Sequence, residues 1–140
     1  MVFRTRSITP WSRWAHIQYE RRPRGVAAPE SLSRRRCLHG QLGLIIVFLG
    51  RKDEAIAEGK RAVELLPESE DAFDGPQATM TLAQINAWTG EPDDAFPFLD
   101  HLLVVPNGLT VPVLKVHLDW DPLRKDPRFQ ALIDKHAGKY

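Results

Sequence analysis

A chain of 140 residues, 43% hydrophobic and 26% charged, is long enough for one domain with a sizeable core, and its composition argues against wholesale disorder and against a membrane class. Its formal charge of +1 hides an asymmetry: residues 1–36 hold nine arginines against Glu20 and Glu30, a net of +7, whereas the remainder carries −6. A single cysteine, Cys37, excludes an intramolecular disulfide and fits a reducing compartment.

The first 30 positions contain no apolar run of the about 7–15 residues that a secretory signal needs, so a cytoplasmic protein is expected. From Met1 to Arg36 no period of 2 or 3.6 is sustained, and Pro10, Pro23, Pro29 and the arginine clusters interrupt every candidate element. The expected organisation is an Arg-rich extension, disordered on its own, over 1–36 and a helical domain over 37–140.

A first helix is expected from near Ser33 to Gly50, where a left-handed residue suits glycine best. Its run Leu42–Leu49 falls far short of the roughly 20 residues that cross a bilayer, and no membrane partner is expected. Because the run is apolar nearly all round, it calls for cover on both sides: from residues 30–36, from a second copy in a homodimer, or from further repeats upstream. The next helix starts at Asp53-Glu54, carries Ile56, Gly59, Ala62, Val63 and Leu66 on one face, and stops at Pro67.

A loop over Glu68–Pro76 leads to a helix over 78–89 with Met80, Leu82, Ala83, Ile85 and Trp88 as apolar positions and Gly90 as its stop. Its partner opens at Pro92 and carries Ala95, Phe96, Leu99, Leu102 and Leu103, with Pro97 expected to kink or delay it. A short apolar helix or turn follows over Val111–Val116. Asp121-Pro122 and Asp126-Pro127 each read as an Asp cap before a proline that starts a helix. In the last of these, Pro127–His136, the residues Phe129, Leu132, Ile133 and His136 share one face.

The two pairs repeat. Aligned on Ala55 and Ala95, 40 positions apart, Leu42 matches Leu82, Gly43 matches Ala83 and Gly50 matches Gly90. Small residues recur where two helices must approach within about 8–10 Å. This spacing resembles the tetratricopeptide motif, although the separation exceeds the usual period of about 34, the excess lying in the 68–76 loop, and Leu102 and Asn107 depart from the pattern. The stretch from Leu49 to Ile133 also resembles the C-terminal ends of large bacterial tetratricopeptide proteins, through Ser-Glu-Asp-Ala-Phe-Asp-Gly-Pro at Ser69–Pro76 and Trp-Asp-Pro-Leu-Arg-Lys-Asp-Pro-Arg-Phe at Trp120–Phe129. The resemblance implies an all-α fold of antiparallel helix hairpins, stacked as a short superhelix and closed by a C-terminal capping helix. It further implies an accessory, protein-binding role in proteins whose other end carries a kinase, cyclase or DNA-binding domain. No phosphate-cradling glycine loop or kinase motif occurs in this chain.

Candidate chemistry is sparse. Cys37 and His39 lack the second pair that a structural zinc needs, the other histidines stand beside no nucleophile motif, and Asp93, Asp94 and Asp121 sit where helix starts want acids. Neither catalysis nor a cofactor is expected. In the hairpin register the leading helices present Leu44, Val47, Met80, Gln84 and Trp88 to an inner groove, an apolar set suited to a protein or peptide partner. Trp11 and Trp14 with Arg34, Arg35 and Arg36 form a basic-aromatic set that could bind nucleic acid or an acidic surface, since aromatics stack on bases while guanidiniums hold phosphates. The expected function is a non-catalytic interaction scaffold in a bacterial signalling or regulatory assembly, with nucleic-acid binding as the alternative.

Overall fold

The computed structural model describes residues 30–65 and 67–138, with side chains from Arg34 onward. Trp11 and Trp14 lie outside the described residues. Those described form an all-helical fold: α1 (Glu30–Phe48), α2 (Lys52–Leu65), α3 (Gly75–Trp88), α4 (Pro92–Leu102), α5 (Val111–Val116), a 3-10 helix (Leu118–Leu123) and α6 (Pro127–His136). No helix among them is long and apolar enough to cross a membrane.

Two tight turns create the hairpins. Gly50 and Gly90 take φ of 72° and 79°, a left-handed conformation in which a side chain would crowd the following carbonyl. The residue after each glycine reaches back to the third carbonyl from the helix end, Arg51 N–H to Ile46 O at 3.3 Å and Glu91 N–H to Asn86 O at 2.9 Å. This backbone motif satisfies carbonyls that a helix terminus would leave bare and reverses the chain. The glycines read from the sequence as stops therefore do that work, one residue beyond each turn's first bond.

Within the first hairpin α1 and α2 run antiparallel, Gly43 lying against Ala55 and Glu58 while His39 pairs with Glu58. Alongside, α3 runs parallel to α1: Gly40 faces Thr81, Gly43 faces Ile85 and Phe48 faces Trp88. The small residues make that approach feasible. A Cβ on Gly43 would stand 2.6 Å from the Ile85 Cδ1, and one on Gly59 would stand 2.8 Å from the Leu82 Cδ1. The Ile85 side chain thus fills the space that both glycines vacate.

The core is lopsided. A large cluster joins Ala83 and Ala87 of α3 to Ala95, Phe96, Leu99 and Leu102 of α4, Leu114 of α5, Trp120 and Leu123, and Phe129, Leu132 and Ile133 of α6. Among the described residues the first hairpin adds Ile46 and Ala55 around Ile85, with Leu44, Val47 and Ile56 partly buried beside them, and a buried Ala62. Full burial of a large apolar side chain contributes about 1.5–3 kcal/mol, so the C-terminal half carries most of the hydrophobic stabilisation.

Several sequence expectations need adjustment. Helix α1 begins at Glu30, not near Ser33, and runs through the boundary drawn at residue 36; Arg36, placed in the extension, is buried and pairs with Asp74 at 3.8 Å. Asp74, in the turn that leads into α3, is the acid that Arg36 meets there. Helix α4 is neither delayed nor interrupted by Pro97, because the proline removes a single bond whose acceptor, Asp93, lies in the exposed first turn. Asp121-Pro122 does not open a helix. It lies inside the 3-10 helix, where Trp120 is 1% exposed and Asp121 pairs with Arg124, which also donates to the carbonyls of Lys115 and His117. The second Asp-Pro does start one: the Asp126 carboxylate accepts from Arg128 N–H at 2.9 Å, and Phe129, Leu132, Ile133 and His136 are all buried.

Candidate interaction surface

Helix α3 lies between α1 on one flank and the 3-10 helix on the other. Met80, Gln84 and Trp88 are spaced by four, which sets them along one ridge of α3. Each is held differently. Met80 is partly buried against the large core cluster. The Gln84 carboxamide donates to Asp119 Oδ2 at 2.8 Å, and His117 Nδ1 lies 2.8 Å from the same oxygen. Trp88 is 45% exposed, with its ring 6.4 Å from that of Phe48 and tilted by 45°.

On α1, Leu44 and Val47 are half-buried against Ile46, Ala55 and Ile85. They supply the wall of the surface more than its tip. The side chain that reaches Trp88 is Phe48, 80% exposed, which the groove register omitted. Its signal was legible: Phe48 stands 40 residues before Trp88, the repeat separation itself. The result is an open aromatic pair above an apolar wall, bordered by a polar Gln84–Asp119–His117 set. Aromatic pairs of this kind offer large contact area at low ordering cost, and the carboxamide and imidazole provide directional bonds at the rim.

The basic set divides. Arg34 and Arg35 are exposed on α1, whereas Arg36 turns inward to Asp74 and its Nη1 is buried without a hydrogen-bond partner. One of the three arginines is thereby committed to the fold. Cys37 is exposed, and His39 Nδ1 is engaged by Glu58.

No protein-family model, curated protein or solved structure matches the chain.

Two clefts open on the side of α2 and α4. One, of about 390 Å³, lies between α4 and α6 and is lined by Asp93, Phe96, Asp100, Arg128 and Lys135 among others. Arg128 stacks its guanidinium 4.6 Å from the Phe96 ring centre and binds Asp93 and Asp126, which holds it protonated above the usual arginine range and depresses the Asp126 carboxyl. Asp100 accepts from Lys135 at 2.8 Å and meets His136 Nε2 at 2.6 Å, and the first of these bonds leads in pulling its carboxyl below the ordinary value. The other cleft, of about 510 Å³, is bordered by Lys52 and Glu91, whose ion pair joins α2 to the turn before α4 and raises the Lys52 ammonium. In the first cleft the charged side chains pair with one another, an arrangement that fastens helices, whereas in the second Lys52 and Glu91 pair while Asp53, Lys60 and Asp94 face solvent.

Proposed function

We propose that this chain is a non-catalytic protein-interaction scaffold of tetratricopeptide type, acting in the cytoplasm within a bacterial signalling or regulatory assembly. The observation that carries the reading is the exposed Phe48–Trp88 pair, set where two parallel leading helices meet and backed by Leu44 and Val47. A protein seldom leaves two adjoining aromatic side chains in water without a use for them, and aromatic anchors supply much of the energy at interfaces. The fitting ligand is an apolar helix or strand of a partner protein. Its side chains would lie on the Phe48–Trp88 rings while its polar atoms meet Gln84 and Asp119. The carboxylate clamp of lysines, arginines and asparagines is not the pattern on this ridge.

Selection from a phage-displayed library of random twelve-residue peptides tests this. Enriched peptides should carry aliphatic or aromatic residues at helical or alternating spacing. Their affinity should fall at least about tenfold on Trp88→Ala, a loss of roughly 1.4 kcal/mol, and stay level on Val104→Ala. Val104 is a fair control, being 56% exposed on the turn after α4. Failure to enrich any sequence, or binding indifferent to Trp88, would overturn the reading.

A further inference from the structure

The outer face of α1 is a second apolar surface, turned away from the core. Leu38, Leu42 and Ile45, with Leu49 in the turn that directly follows the helix, are 58%, 44%, 59% and 64% exposed. They succeed one another at steps of four, three and four, so they form one stripe opposite the face that buries Arg36, Gly40 and Gly43. A stripe of a and d spacing is the seam along which two helices pair.

Two properties of this stripe select its occupant. The order four, three, four reads the same in both directions, so a second α1 laid antiparallel about a two-fold axis between Gly43 and Leu44 sets Leu38 against Leu49 and Leu42 against Ile45 at every step. Charge chooses the same direction. The stripe is flanked at its start by exposed Arg34 and Arg35, and past its end Arg51 pairs with Glu54 and Lys52 with Glu91, which leaves Asp53, among the described residues, as the exposed charge without a partner there. Parallel pairing would crowd four guanidiniums at one end. Antiparallel pairing brings the arginines of each copy toward Asp53 of the other.

We propose that α1 is a homodimer seam, in which two copies of this chain pair their first helices antiparallel through Leu38, Leu42, Ile45 and Leu49. The contact is isologous and closed, each copy offering the same patch. It uses the opposite side of α1 from Leu44 and Val47, so it leaves the peptide surface free and stands independently of it.

Light scattering on the purified full-length chain at micromolar concentration reads the first part. Twice the mass of one chain is expected, falling to a single chain on Ile45→Glu with circular dichroism unchanged, and holding at two chains on Val104→Glu. Direction is read by cross-linking. In a Cys37→Ser background, Leu38→Cys and Leu49→Cys chains are mixed and oxidised. Antiparallel pairing yields the mixed disulfide, because identical positions lie about 16 Å apart along the helices. Homogeneous cross-links only, a monomeric wild type, or a dimer untouched by Ile45→Glu would each overturn the proposal.

Discussion

The two hairpins carry an identical residue at an identical place with opposite fates. Ile45 and Ile85 are 40 positions apart, each five residues before the glycine that ends its helix, yet Ile45 is 59% exposed and Ile85 is fully buried. Leu42 and Leu82 differ in the same way, at 44% and 3%. The repeat thus prescribes residue type, whereas neighbours decide burial: α3 has α1 and α2 on one flank and α4 with the 3-10 helix on the other, and among the described residues α1 packs on α2 and α3 alone. An interior helix and an edge helix can share a pattern because the pattern describes the stacking surface, occupied or not.

Truncating the two isoleucines should separate those roles most widely. Ile85→Ala empties the space between Gly43 and Gly59 and should cost about 2–5 kcal/mol. Ile45→Ala should change the stability of the single chain by no more than about 0.5 kcal/mol. Denaturant midpoints measured below the dimerisation range give both values, and equal losses would refute the distinction between edge and interior.

The next effect concerns Gly43 and its counterpart Ala83. Alanine is the better helix former by up to about 1 kcal/mol, so an exposed Gly43 would gain from Gly43→Ala. Here the new Cβ would meet Ile85 Cδ1 at 2.6 Å and Ala55 O at 3.1 Å, and overpacking of this order costs about 1–3 kcal/mol. Net destabilisation is expected, and it should shrink in an Ile85→Val background, which removes the obstructing methyl. Strict additivity of the two substitutions would show that the crowding is relieved elsewhere.

Where the hairpins are alike, their responses should be alike. A Cβ at Gly50 or Gly90 would meet nothing within 4 Å, so only the left-handed backbone opposes a side chain there. Gly50→Ala and Gly90→Ala should each cost about 1–2 kcal/mol, and the two thermal or denaturant shifts should agree closely. A clear inequality would mean that one turn is held by more than its backbone.

Periodicity and punctuation made most of this architecture legible. The glycine stops, the proline start at Pro92, the small residues at the crossings and the buried face of α6 are all local signals, each tied to one turn of helix or one close approach. Long-range pairing was not legible. Nothing near Arg36 announces that Asp74 will draw it inward, and Asp121-Pro122 differs from Asp126-Pro127 only in what lies behind it: a buried Trp120 that keeps the first in a tight 3-10 turn. The groove ridge was placed by register, but its internal bond from Gln84 to Asp119, 35 residues away, depended on a fold no pattern displays.

The smallest expected effect lies at the closed end of the molecule. Asp100 of α4 ties down α6 through Lys135 and His136, and the residue 40 positions earlier, Lys60, is exposed and opens no such latch to an acid on a following helix. Bonds that favour the carboxylate place the folded Asp100 below its ordinary value of 3.8. Its contribution is accordingly present in full above about pH 4 and is lost as pH falls through the lower folded value. Asp100→Asn removes this dependence. Wild type should therefore exceed the variant in stability at pH 5 and converge toward it near about pH 2, with a modest difference because the Asp100 side chain is 42% exposed and partly screened by solvent. Urea midpoints across that range, repeated at high salt, check the sign and the screening together. A gap that widened toward acid would mean that the neutral carboxyl, and not the carboxylate, is the form that holds α6 in place.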